Sequence, residues 1–76
     1  MPLGALIGRG RTAEVYAWDE GRIVKLYWRD WPEATVRHEE EMALLVNEAG
    51  LATPRFYGRV EVDGRQGLVY ERVDGP

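Results

Sequence analysis

The sequence predicts an α+β domain of order β-β-β-α-β-β, in which five strands form one antiparallel sheet accompanied by a single helix. Three observations lead there. Runs of β-branched and aromatic residues bounded by turn signals occupy both ends of the chain. One long apolar-periodic stretch, Glu33 to Ala49, stands between them. Two Asp/Gly turns, Asp19-Glu20-Gly21 and Asp63-Gly64, are too short to join anything but antiparallel neighbours.

From Leu3 to Trp18 the residues are apolar before the glycines Gly8 and Gly10 and alternate after them, which predicts strand, glycine turn, strand. Gly21 then tolerates positive φ and Asp19 can close the turn with its own side chain. Arg22 to Tyr27 makes a third strand, whose period of two puts Ile23, Lys25 and Tyr27 on one face and Val24 and Leu26 on the other. Asp30-Trp31-Pro32-Glu33 carries the spacing of a capping box, with Asp30 as the cap and Pro32 in the first turn. The helix that follows is predicted to run about seventeen residues, about 26 Å, to Ala49, and Gly50 stops it. Its apolar residues Val36, Met42, Ala43, Leu44, Leu45, Val46 and Ala49 spread over a broad face, predicting a helix packed on more than one side. Arg55 to Val62 and Gln66 to Glu71 are the fourth and fifth strands, joined at Asp63-Gly64, where a type I′ turn needs positive φ at both positions. Arg72 to Pro76 reads as a linker.

Composition bounds the function. A chain of 76 residues makes at most one small domain and buries only about 60% of its unfolded surface, so its stability is marginal and a partner lobe is expected. It is nonetheless globular: 45% of its residues are hydrophobic, and its charges mix both signs instead of forming blocks. A formal net charge of −3 argues against nucleic acid and anionic membranes as partners. The sequence holds no cysteine, no run long enough to span a bilayer and no signal-peptide pattern at Met1-Pro2-Leu3-Gly4, so a cytoplasmic location is expected. All ten basic residues are arginine except Lys25. That isolates one position where a compact ammonium replaces a planar guanidinium, and the two are not interchangeable.

Gly8-Arg9-Gly10-Arg11-Thr12-Ala13 fits GxGxx(G/A), a pattern shared by two devices. In a dinucleotide turn a helix follows the glycines; in a lid over nucleotide phosphates a strand does. Glu14 to Trp18 alternates and reaches a turn at Asp19, which leaves no room for a helix. Asp30 lies about the right twenty residues on for a ribose-binding acid, but two strands separate it from the glycines. The hairpin is preferred, with the glycines letting backbone amides approach a polyphosphate and Thr12 adding a hydroxyl. Taken alone, such a stretch is more commonly an ordinary glycine-rich hairpin.

Lys25 follows on the strand that returns beneath this loop. A lysine in a β-branched strand is costly to bury without an anionic partner, although an exposed edge lysine would serve merely to discourage edge pairing. Glu39, Glu40 and Glu41 form a helical triplet, one of which must face the sheet. Glu39 shares a face with Val36, Met42, Ala43 and Val46 and is the first choice, Glu40 the second and Glu41 the third, the others lying on a solvated acidic face. His38 has no nucleophile or second ligand near it in sequence and reads as a surface residue.

Together the stretches Ile7 to Tyr16, Ile23-Val24-Lys25, the helix glutamate, Ala49-Gly50-Leu51-Ala52-Thr53-Pro54 and Leu68 to Pro76 resemble the N-lobe of the aminoglycoside phosphotransferase family, small-molecule kinases with the protein-kinase fold. The resemblance covers essentially residues 1–76 and implies a kinase-like N-lobe ending in the hinge. It implies that Gly8, Arg9, Gly10, Arg11, Thr12 and Ala13 cover the phosphates of ATP. Lys25 would contact the α- and β-phosphates and pair with Glu39, these two being the catalytic positions. Ile7, Val15 and Ile23 would roof the adenine, Tyr70 would stand as gatekeeper, and the backbones of Glu71 and Val73 would meet the adenine edge.

Ala13 stands where the protein-kinase loop has its last glycine, a replacement the family accepts. On this resemblance residues 1–76 would reach only into the hinge, so the catalytic Asp, Mg²⁺ ligands and acceptor pocket are expected in a C-lobe outside them, and Mg²⁺ is expected only through it. Two functions follow. One is an ATP-dependent phosphotransferase acting on a small-molecule hydroxyl, inactive as this lobe alone. The other is a stand-alone, non-catalytic nucleotide-binding or protein-interaction module, with self-association of the uncovered lobe expected.

Overall fold

The computed structural model describes residues 3–51 and 53–73. The strands β1 (Leu6–Arg9), β2 (Ala13–Asp19) and β3 (Arg22–Tyr27) precede helix α1 (Glu33–Glu48), and β4 (Phe56–Val62) and β5 (Arg65–Glu71) follow it. All five strands join one antiparallel sheet in the order β1-β2-β3-β5-β4. The expected α+β architecture and element order are observed. The last strand slots between β3 and β4, with α1 carrying the chain across the sheet. No helix among the described residues is long and apolar enough to cross a membrane. Of the linker expected over Arg72 to Pro76, residues 74–76 lie outside the described residues.

Both predicted tight turns form. Gly21 takes φ 106°, and Arg22 closes that turn on the Asp19 carboxylate with Nε 3.0 Å from Oδ1. At the second turn Asp63 and Gly64 take φ 50° and 76°, the two positive values of a type I′ hairpin.

The start of the helix differs from expectation. Asp30 is not the cap: Pro32 occupies the N-cap position at φ −58° and ψ 130°, with no side-chain capping bond. Proline already holds φ at the helix-entry value, and its extended ψ turns the chain into the first turn at residue 32. Asp30 therefore lies two residues too early to reach the first-turn amides. The Pro32 carbonyl accepts from the amides of Thr35 (3.1 Å) and Val36 (3.4 Å). Glu33 turns its carboxylate to Arg37 and Arg59 instead of to the backbone. At the other end α1 stops at Glu48, one residue short of expectation, with Ala49 as C-cap. Gly50 takes φ 69° and donates its N–H to the Asn47 carbonyl at 3.2 Å.

The helix is also packed on one side only, contrary to the broad-face expectation. Val36 is its sole buried residue, whereas Met42, Leu44 and Leu45 are 47%, 46% and 59% exposed. A single stripe meets the sheet, and the core beneath it consists of Ala13, Tyr27, Val36, Phe56 and Leu68, with Trp31, Ala43 and Tyr70 packed around. Asn47 pins the C-terminal half of α1, its amide donating to the Phe56 carbonyl and accepting from the Phe56 N–H, both at 3.3 Å.

The opposite, outer face is closed by side chains of the curled sheet itself. Val24, Leu26 and Val69 are no more than 1% exposed there. Gly67 makes this closure feasible, because a Cβ at that position would lie 2.9 Å from Val24 Cγ2, 3.1 Å from Leu26 Cδ1 and 3.2 Å from Val60 Cγ2. Two of those neighbours are β-branched valines with little rotamer freedom to yield. Gly67→Ala is accordingly expected to destabilise the fold by about 1–3 kcal/mol through overpacking, seen as a lower denaturant midpoint at unchanged m-value; an unchanged midpoint would show that the outer face is loosely packed.

Candidate functional site

One row of residues crosses the sheet and organises the helix-facing surface. Gly8 pairs with Val15, Val15 with Lys25, Lys25 with Leu68, and Leu68 with Arg59. Strand alternation sends the side chains of Val15, Lys25, Leu68 and Arg59 to the same side. Two cations, Lys25 and Arg59, thus stand on either side of Leu68, beneath a helix that carries consecutive acids.

The acids divide between them. Lys25 Nζ lies 3.2 Å from Glu39 Oε2, and Arg59 reaches Glu40 Oε1 at 3.5 Å. Adjacent helical residues diverge by about 100°, so neighbouring acids can each address a different cation across the width of one leucine. Glu41 is exposed, as expected for the third choice. The expectation of a solvated Glu40 is corrected: it is half-buried against Arg59. Arg59 also reaches Glu33 Oε1 at 3.2 Å and Gln66 Oε1 at 2.9 Å. It is the sheet's main polar hold on the N-terminal half of α1.

The Lys25 and Glu39 side chains are 33% and 35% exposed. A pair so open to solvent contributes about 1 kcal/mol or less to stability. Fold stability therefore does not account for a lone lysine among arginines at this position. The ammonium also stands 5.2 Å from the centre of the Tyr27 ring, which limits its swing on the side of the core.

Beside the pair lies a hollow of about 720 Å³, within the range of small-molecule sites. Six of the residues singled out in the sequence line it: Ile23, Lys25, Glu39, Tyr70, Glu71 and Val73. Ile23 and Tyr70 are cross-strand partners, and Tyr70 leans on Phe56 with ring centres 5.4 Å apart. Burial, followed by the negative charge of Glu39, raises the Tyr70 hydroxyl above its ordinary value of 10.0, so it stays a neutral phenol. The Glu71 N–H donates to the Arg55 carbonyl at 2.7 Å, so a base edge could address Glu71 only through its carbonyl.

Sequence reasoning missed the opposite wall, which comprises His38, Met42, Ala43, Val46, Thr53 and Pro54. Met42, Ala43 and Val46 were legible as the face shared with Glu39. Thr53 and Pro54 follow the helix stop and come to the wall only through the return of the chain into β4.

The glycine turn lies on the other side of Lys25. Ile7, Gly8, Arg9, Gly10, Arg11, Thr12, Ala13 and Val15 do not line the hollow. They belong to the β1–β2 arch, a hairpin with no helix after the glycines. Gly8 stands two strand spacings from Lys25, about 9.6 Å. A bulge between Leu6 and Gly8 leaves Ile7 out of register and 48% exposed. The Gly10 N–H donates to the Ala13 carbonyl at 2.9 Å, while the Trp28 indole N–H donates to the Gly10 carbonyl at 3.3 Å and the Trp28 amide to the Thr12 carbonyl at 3.1 Å. The Arg9 side chain turns to Glu14 on the outer face. Lys25 thus sits between arch and hollow, within reach of a ligand that spans both. Among the described residues no group of three or more His, Asp or Glu side chains is arranged to hold a metal ion.

Comparison with family models, with curated proteins and with solved structures finds no match to this chain.

Removal of the Arg59 side chain is expected to cost about 1 kcal/mol of stability and to speed amide exchange in the first two turns of α1, leaving the β2–β3 amides unchanged. Equal exchange in both places would show that apolar packing alone seats the helix.

Proposed function

We propose that the chain is the nucleotide-binding lobe of an ATP-dependent phosphotransferase, kinase-like in its N-lobe architecture and similar to the aminoglycoside phosphotransferases. Joined to a second lobe and acting in the cytoplasm, it would serve transfer of the ATP γ-phosphate to a hydroxyl group of a small molecule. One observation carries the reading: the only lysine of the chain is ion-paired to Glu39 on the sheet row that begins at the glycine arch.

On this reading the ammonium of Lys25 donates to the α- and β-phosphates, and Glu39 fixes its rotamer, so that little conformational freedom is lost when the phosphates arrive. The arch from Gly8 to Ala13 bends over the phosphates, Ile7, Val15 and Ile23 offer apolar surface to the adenine, and Tyr70, Glu71 and Val73 border its edge. ATP fits the residues present, which combine a positioned cation, a glycine-bearing turn and a partly apolar hollow of adequate size. Mg²⁺ does not fit them, since the described residues bring no carboxylate cluster together. The reading assigns the metal, the acceptor site and the base that takes the hydroxyl proton to the second lobe.

A second reading, a non-catalytic nucleotide-binding or protein-interaction module, is favoured by the exposure of Met42 and Val73, which line the hollow, at 47% and 64%, and of Leu45 and Leu51, both at 59%.

Titration calorimetry of the full chain with ATP tests the first reading. Saturable binding is expected, weakened about tenfold to a hundredfold by Lys25→Ala, the worth of a hydrogen bond to a charged group. ATP binding that is indifferent to Lys25→Ala would contradict the assignment, and a monomer that does not bind ATP would contradict both readings.

A further inference from the structure

Among the described residues one charged residue is buried, Glu14, which the site described above does not use. We propose that Glu14 is a positioning residue for the glycine arch, latching the turn from the outer face of the sheet through Arg9 and through Arg65 and Trp28. Its consequence for ligands rests on the nucleotide reading; the latch itself does not.

Glu14 is 4% exposed and pairs with Leu26, which places it on the face opposite Lys25 and α1. A carboxylate removed from water on an otherwise apolar strand face is tolerated only where donors replace its hydration. Three side chains do so. Arg9 approaches Oε2 at 3.1 Å, while the Tyr16 hydroxyl at 3.1 Å and the Arg65 guanidinium at 3.0 Å share Oε1. Burial pushes the acid upward, but the bonds from Arg65, Tyr16 and Arg9 and the charge of Arg65 outweigh it and hold the group below its ordinary value of 4.5. The latch is therefore charged at neutral pH.

Two arms run from this carboxylate to the arch. The short arm is Arg9 itself, the residue between the two glycines. The long arm passes through Arg65, which is fixed by bonds to the carbonyls of Tyr27 (2.9 Å) and Leu26 (3.2 Å). Arg65 stacks 5.1 Å from the centre of the Trp28 ring, and the indole N–H of Trp28 holds the Gly10 carbonyl. The glycines make the arch pliable, and both arms end on that pliable segment, at residues 9 and 10. Arg9 is the last residue of β1, the register partner of Glu14 and the point where the chain enters the turn, and its side chain is 64% exposed, so that apolar packing does not fix it. The arrangement restrains the turn from the face opposite Lys25 and leaves the Lys25 face free of these contacts.

The test uses the full 76-residue chain, first without nucleotide. In Glu14→Gln and in Arg9→Ala, exchange at the Gly10 and Trp28 amides and at the Trp28 indole, the hydrogen-bonded N–H groups of the arch, is expected to accelerate about threefold or more, the factor that loss of a modest ion pair supplies. Arg9→Ala shifts the unfolding midpoint only slightly, since Tyr16 and Arg65 still bond Glu14, and Arg9→Lys recovers most of the protection; a loss of arch protection larger than the loss of global stability separates positioning of the arch from general stability. Should Glu14→Gln not fold, the Arg9 pair decides alone. ATP affinity then falls in parallel with arch protection. Arch exchange equal to wild type in Arg9→Ala would overturn the latch, and faster exchange with undiminished ATP affinity would overturn its positioning role. A wild-type chain that binds no ATP removes the nucleotide reading, and the exchange rates still decide the latch.

Discussion

The structure depends on how one helix is seated on one row of a sheet. Alternation places Val15, Lys25, Leu68 and Arg59 side by side on the helix-facing surface, two cations separated by a leucine. Consecutive acids on α1 meet them, Glu39 on Lys25 and Glu40 on Arg59. Each contact is weak in water, yet together they constrain both the rotation and the height of the helix, because a shift of one residue would set an acid against the leucine. Apolar contact adds Val36, with Ala43 at the edge of the core, and Asn47 pins the far half of α1. The charge register thus works together with this contact in seating the helix.

The two faces of the sheet divide the work. The helix-facing side holds the Lys25–Glu39 pair at the edge of an open hollow, and nothing in the core requires that lysine. The outer face holds the second charged cluster, around Glu14, and reaches the glycine turn from behind. A pliable arch restrained on one side and open on the other, next to a cation already oriented by a carboxylate, is suited to a ligand that carries several negative charges. The nucleotide reading draws its support from that conjunction, since a lone glycine turn or a lone lysine would carry none.

Much of this was legible in the sequence, and most of what was not shares one cause. The element order, both Asp/Gly turns, the helix stop at Gly50 and the choice of Glu39 follow from local chemistry: period, φ preference and helical spacing. Most of the features not foreseen depend on residues far apart in the chain, the helix entrance being the exception. Asp30 has the right spacing for a capping box, but the local stiffness of Pro32 takes over the helix entrance. Glu14 drew no reading from the sequence, because the Arg65 that bonds it stands fifty-one positions away. Glu40 looks solvated until β4 delivers Arg59. The helix seems wide enough in apolar residues for two neighbours, and the chain supplies one. Apart from the helix entrance, these depend on pairing between distant segments, and no window of adjacent residues contains it.

Because Lys25 is the only lysine, its ammonium can be observed without interference from any other side chain of its kind. The most direct measurement is the NMR signal of lysine labelled at Cε and Nζ, recorded for the wild-type chain and for Glu39→Gln as ATP is added. An oriented, phosphate-binding ammonium gives a single lysine resonance that moves saturably with ATP in the wild-type chain and moves less, at higher ATP, in Glu39→Gln. A resonance that stays at its free-lysine position in both proteins, with or without ATP, would contradict the claim that this pair is built to receive a phosphate.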